Sequence, residues 1–187
     1  MPLSDLPLAR ITTEQFHAMI QAGIYTEDDK IELIDGLLFK KMSIGSPYAA
    51  LVNSLNFALV RRLGGRAIVA VQNPVAINEY SEPEPDISLL KLRPDFYRAA
   101  HPGPDDVLLV VEVADTSLVS DLNAKMPLYA AAGVPEAWLV NLNESTITVF
   151  TGPDGAAYQE AKLFKGDDAV PVPGFSDAVI PLKELGL

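Results

Sequence analysis

The 187-residue chain contains no cysteine, which excludes disulfides, thiolate nucleophiles and cysteine-ligated zinc. Histidine is almost as scarce. Its two copies, His17 and His101, lie far apart, give no metal-ligand spacing and are assigned no role. Basic residues are few, 14 Lys and Arg against 25 Asp and Glu, for a formal net charge of −11. Phosphate binding rests largely on Lys and Arg displacing counterions. Any nucleic-acid surface would therefore have to be local, around Arg61, Arg62 and Arg66 or around Lys91, Arg93 and Arg98, and charge alone favours an ordinary solvated face for both groups. No apolar run approaches the ~20 residues of a membrane span. The first residues, MPLSDLPLAR, lack a basic region followed by an apolar one, so no signal peptide is expected and a cytoplasmic protein is.

What is present argues for a globular protein. Apolar residues make up 49% of the chain, enough for one domain with its own core. No internal repeat, low-complexity tract or long linker divides it, and a single domain over 1–187 is expected.

Thr12 and Gln15 form a capping box ahead of Phe16, Met19 and Ile20 at helical spacing, with Gly23 as the stop. Residues 30–34 and 37–41 flank Asp35-Gly36, a strong two-residue hairpin signal. Ser46 and Pro47 read as N-cap and first residue of a second helix. Its stripe is Tyr48, Leu51, Val52, Leu55 and Leu59, and Gly64-Gly65 ends it. Short strands are expected at 67–71 and 75–77, broken at Asn73-Pro74, followed by an acidic extended loop over 78–85. A strand at 87–90 precedes a proline-rich loop, 93–106, with room for one helical turn. A helix over 122–132 contains Pro127, so it either starts late, near Asn123, or kinks. Strands follow at 136–141 and 146–150 with a turn at Asn143-Glu144. Beyond them lies a Pro/Gly-rich tail with apolar pieces around Tyr158, Val170 and Val179. The order suits an α/β or α+β domain, a mixed central sheet flanked by helices.

The chain is organised around VLLVVEVADTSLVSDLNAK, residues 107–125. Six of its first seven residues are Val or Leu, which reads as a strand buried on both faces. The exception, Glu112, is costly there unless paired. Asp86 opens the apolar strand at 87–90, and Lys125 stands on the helix downstream. On adjacent strands, Asp86 and Glu112 would lie near a common sheet end, where two carboxylates need a proton or a cation between them. Magnesium, or manganese, fits such hard oxygen ligands and keeps waters for a substrate to displace, with the Val113 carbonyl as a further ligand. Lys125 would then orient or deprotonate a water, or stabilise developing charge. The residues leave a second reading open: Asp86 in a turn hydrogen bond and Glu112 in a buried salt bridge with Lys125.

Pro85-Asp86, Glu112-Val113-Ala114 and the later lysine resemble the PD-(D/E)XK nuclease superfamily. The ordered set Glu32-Leu33-Ile34-Asp35-Gly36, Ser46-Pro47, Gln72-Asn73-Pro74, Glu82-Pro83-Glu84-Pro85-Asp86, Val111-Glu112-Val113, Asp121 to Lys125, Tyr129-Ala130 and Gly133-Val134-Pro135-Glu136-Ala137-Trp138 resembles, more closely, the bacterial Uma-two family of restriction endonucleases. The resemblance implies a restriction-endonuclease-like fold, with a nuclease core over about 12–150 and a β extension over 151–187. It implies a magnesium-dependent endonuclease cutting DNA through attack of a metal-activated water. Asp86 and Glu112 would hold the metal, Glu32 would be a third acid and Lys125 would work on the water.

Two departures stand out. The superfamily lysine position two residues after the second acid is Ala114; the family resemblance implies a lysine supplied from the following helix, which is Lys125. A histidine common just after Ser-Pro is Tyr48 here. From the residues alone, Glu32 alternates with Ile31 and Leu33 and reads as solvent-facing. Gln72 reads equally as an edge-strand polar residue or as support for the site or substrate. Asp121 reads as an i to i+4 partner of Lys125. Tyr129 and Trp138 read as core, and Glu79, Glu82 and Glu84 as a solvated loop. A homodimer with two sites facing opposite strands fits a double-strand cut, although no residue pattern demonstrates one. The alternatives are a non-catalytic interaction module with the same fold, favoured by the acidic surface, and hydrolysis of another phosphate ester.

Overall fold

The structure, a computed structural model, describes residues 8–41, 45–115 and 117–187; most of the N-terminal stretch considered above as a signal peptide lies outside them. Helix α1 (Thr13–Gln21) starts at the Thr12–Gln15 capping box, which satisfies two otherwise unpaired amides. Strands β1 (Ile31–Ile34) and β2 (Leu37–Lys40) pair as an antiparallel hairpin. Asp35 and Gly36 both have positive φ, the signature of the turn whose twist matches a hairpin. Helix α2 (Ser46–Leu63) begins one residue earlier than expected: Gly45 is the N-cap and Ser46 the first helical residue. Leu51, Val52, Leu55 and Leu59 are buried along it, as the stripe requires.

The main sheet has six strands in the order β3-β4-β5-β6-β7-β8. These are β3 (Ile68–Val71), β4 (Ile87–Leu90), β5 (Val107–Ala114), β6 (Glu136–Asn141), β7 (Thr146–Asp154) and β8 (Ala157–Lys165). Only β5 and β6 run parallel; the other neighbours are antiparallel. A parallel pair needs a long crossover. Here it is one helical run: α3 (Leu118–Ser120), a π-helical turn (Asp121–Lys125) and α4 (Met126–Ala131). The two sheet faces explain the unbroken apolar run of β5. Leu109, Val111 and Val113 pack with Trp138 and the α2 stripe, while Val107 and Val110 pack with Met126 and Tyr129 of the crossover.

Two expectations need correction. Residues 75–77 form no strand: the amides of Val75, Ala76 and Ile77 bond to Pro83, Pro102 and Ser81 carbonyls, although Val75 and Ile77 are buried. Val75 donates to the Pro83 carbonyl, and Pro83 has no amide to return the bond, so no ladder forms there. The crossover helix starts at Leu118, before the expected 122, and Pro127 is absorbed by the π turn, in which the Met126 amide reaches back to Asp121. That register suits a proline whose ring and missing donor disrupt an α ladder. The Pro/Gly-rich tail is structured. It completes β7 and β8, adds a hairpin of β9 (Ala169–Val172) and β10 (Phe175–Pro181), and ends in α5 (Leu182–Leu185), whose Leu182 and Leu185 join the α2 core. Among the described residues, no helix is long and apolar enough to cross a membrane.

Candidate active site

The β4–β5 register fixes the first pair. Ile87 lies opposite Val111, so Asp86, one residue earlier on the antiparallel strand, falls level with Glu112. Both carboxylates line one cavity of about 820 Å³, together with Glu32, Tyr48, Gln72, Val113, Asp121 and Lys125. Glu32, Asp86, Glu112, Asp121 and Lys125 are all only 4–7% exposed, apart from Glu112 at 3%. Four buried carboxylates around one ammonium would be expensive in isolation, so their partners decide the chemistry.

Asp86 is held from both sides. Its Oδ2 accepts from the Val113 amide at 2.7 Å, and its Oδ1 accepts from the Tyr48 hydroxyl. Tyr48 in turn accepts from Gln72 Nε2 at 3.0 Å. Gln72 sits at the end of β3 with φ 52°, a conformation uncommon for a side chain of its size, which turns the chain out of the strand. Tyr48 thus fills the position after Ser-Pro with a neutral donor, and burial raises its phenol further above the ordinary range.

Glu112 accepts from the Tyr129 hydroxyl at 2.6 Å and from Lys125 Nζ at 3.2 Å. Burial pushes its carboxyl up to about 8; Lys125 opposes the shift and the nearby Asp86, Asp121 and Glu32 add to it. Lys125 also contacts Glu32 Oε1 at 3.0 Å. Burial alone would lower its pKa, but Glu112, Glu32 and Asp121 outweigh it, so the ammonium titrates above the ordinary lysine range. Glu32 Oε2 accepts from the Glu84 amide at 3.1 Å. Glu32 is therefore not solvent-facing. Leu33 bridges to Glu82 on the far edge of β1, which encloses the strand, and the other side of Glu32 meets the lysine of the π turn. Asp121 makes no ion pair with Lys125 among the described residues; it accepts from Ser117 Oγ at 2.6 Å. The wider π register removes the i to i+4 alignment expected of an α-helix.

Several groups in the cavity or packed behind it were not singled out from the sequence. Tyr129 is core, fully buried, yet its hydroxyl is a ligand of Glu112; its place four residues after Lys125 on one helical face was the available signal. Glu82 and Glu84 are not a solvated loop. Glu82 is buried against His17 Nε2 at 2.7 Å, and Glu84 pairs with Lys41 at 3.1 Å. In an extended segment, residues 82, 84 and 86 share one side, and all three line the cavity. Glu79 alone of that run is exposed. Trp138 is core, its indole donating to Glu136 at 2.6 Å.

Among the described residues, no three acidic or imidazole side chains converge into a ready-made metal cage. Magnesium commonly binds through one or two carboxylates and fills its remaining positions with water and substrate phosphate. Hard oxygen donors at Asp86 and Glu112, set beside the further buried carboxylates of Glu32 and Asp121, fit that mode of binding.

No curated protein matches the chain. Among solved structures, the crystal structure of "a putative nuclease belonging to DUF820" from Anabaena variabilis ATCC 29413 has the same fold. It is 19% identical, with a TM-score of 0.72 over 94% of this chain and 97% of that one. The model of the Uma2 family, described as "Putative restriction endonuclease", matches residues 13–183; the chain belongs to that family.

Proposed function

We propose that the chain is an endonuclease that hydrolyses DNA phosphodiester bonds with the help of a divalent cation, magnesium or manganese. The observation that carries this reading is the opening of Asp86 and Glu112, from neighbouring strands, into the cavity that also receives Lys125. Asp86, Glu112 and the main-chain carbonyl of Val113 would hold the ion. When bound, it supplies neutralisation of phosphoryl charge and acidification of water. The protein's own groups do the rest. Tyr48 and the Val113 amide fix the Asp86 carboxylate, and Gln72 fixes Tyr48. Tyr129 occupies one oxygen of Glu112 and leaves the other turned toward Lys125. Lys125, held cationic by its carboxylate neighbours, acts as a fixed positive charge for the transition state rather than as a base, and Glu32 anchors it. A homodimer placing two cavities on opposite strands belongs to the same proposal.

A second reading, an interaction module without catalysis, is favoured by the neutralised surface. Arg61 and Arg62 pair with Glu184, Arg66 with Asp177 and Arg93 with Asp95. A nicking assay on supercoiled plasmid, with magnesium against EDTA, separates the two. Metal-dependent nicking abolished by Asp86→Ala and Lys125→Ala is expected. Intact plasmid at high protein, with no metal uptake by calorimetry, supports the module. Turnover of small phosphoesters without any cut in DNA points to another phosphate ester as substrate.

A further inference from the structure

Beside the main cavity lies a second pocket of about 310 Å³. Asn73, Pro74 and His101 line both spaces, so the two share a wall. Its floor is the face of β3 and β4 that carries Ala70, Ser88 and Leu90. Ser88 is 2% exposed, and its hydroxyl has no hydrogen-bond partner among the described residues. A buried hydroxyl in this state carries a desolvation cost that a ligand atom would relieve.

The outer wall is aromatic. Tyr97 is fixed, its hydroxyl donating to the Lys91 carbonyl at 2.8 Å and its ring covered by the Arg93 guanidinium at 4.4 Å. Phe96 has no such cover and is 69% exposed. Both have positive φ, 51° and 58°, a conformation that bulky side chains rarely adopt and that concentrates at functional sites.

We propose that this pocket receives one unpaired nucleobase of the strand whose phosphate lies at Asp86 and Glu112, with Phe96 as the stacking platform and the Ser88 hydroxyl as a polar contact. The substrate class is then a single-stranded or locally unpaired nucleic acid. This rests on the nuclease reading for the position of the phosphate. It also resolves the charge problem. With Arg61, Arg62 and Arg66 all tied to carboxylates, the arginine cluster on α2 is neutralised and gives a duplex little to follow. Stacking of bases on aromatic rings supplies affinity that phosphate contacts do not.

The test is fluorescence anisotropy of the full-length protein in calcium with three labelled probes: a twelve-nucleotide oligothymidylate, its duplex with oligoadenylate, and an abasic strand of equal length. The single strand should bind at least tenfold tighter than the duplex and about tenfold tighter than the abasic strand, the scale of one stacked base. In Phe96→Ala, an exposed position where folding is not at risk, the gap between thymidylate and abasic strands should shrink below twofold; Ser88→Ala should narrow it in part. A gap absent from the wild type, or unchanged in Phe96→Ala, overturns the base pocket. Displacement of the strand by equimolar thymidine monophosphate also overturns it, assigning the pocket to a free nucleotide. Cleavage is scored separately with magnesium. Loss of nicking in Asp86→Ala alongside an unchanged stacking gap in Phe96→Ala leaves the nuclease reading standing without the pocket. A Phe96-dependent gap with no cleavage leaves the pocket without the nuclease.

Discussion

Replacing Lys125 by methionine keeps most of the side-chain length and removes the charge. Lys125 is the only cation in contact with Glu32 and Glu112 among the described residues. Those two carboxylates and Asp121 would then be buried without a counter-charge. Removing one partner of a buried ion pair costs about 3–5 kcal/mol. At about 2–4 °C per kcal/mol for a domain of this size, the melting temperature should fall by about 6–20 °C. The sign of the pH dependence follows. Unpaired buried carboxylates have raised folded pKa values, so the native state holds protons that the unfolded state has released, and stability falls as pH rises. The deficit relative to wild type should be small near pH 5 and grow through pH 8. Scanning fluorimetry at both pH values, with and without calcium, reads all of this, and the ion should recover part of the loss by binding the native state alone. A melting temperature within 2 °C of wild type at pH 8 would refute the claim that Lys125 balances this cluster.

Two further outcomes follow from the same geometry. Tyr129→Phe removes the hydroxyl donor to Glu112 and should cost about 1–3 kcal/mol in urea unfolding, because a buried carboxylate loses a bond; a change inside the error of the midpoint would show that Glu112 does not need it. Glu112, pushed up to about 8, must shed its proton to hold a metal. Metal affinity should therefore rise with pH through 8 and level off above it, and calorimetry at pH 7 in buffers of different ionisation enthalpy should detect proton release, with identical heats in both buffers as the contrary result.

The fold was legible where local chemistry and tertiary context agree. The capping box at Thr12, the turn at Asp35-Gly36, the α2 stripe and the apolar run of β5 all signal structure through spacing alone, and each forms near its expected bounds. Misreadings came where long-range partners decide. Glu32 sits on a strand enclosed by a bridge to Glu82 and by a lysine 93 positions away, which no alternation pattern reveals. Residues 75–77 have the composition of a strand, but the chain opposite them is Pro83, which cannot return a bond, and their amides go to loop carbonyls. The π turn was hidden because Pro127 signals a break without saying how the chain accommodates it. Asp86, Glu112 and Lys125 were legible because a charge in or beside an apolar strand needs a partner; the groups that serve them, Tyr129 and the run 82–84, were concealed inside ordinary core and loop composition.

Crystals grown with manganese and measured for anomalous scattering would locate the cation itself. A peak in the main cavity at about 2.1 Å from carboxylate oxygens of both Asp86 and Glu112, lost in Asp86→Ala, is expected. Manganese bound only at the protein surface, with the Asp86 and Glu112 oxygens contacting protein groups alone, would contradict it.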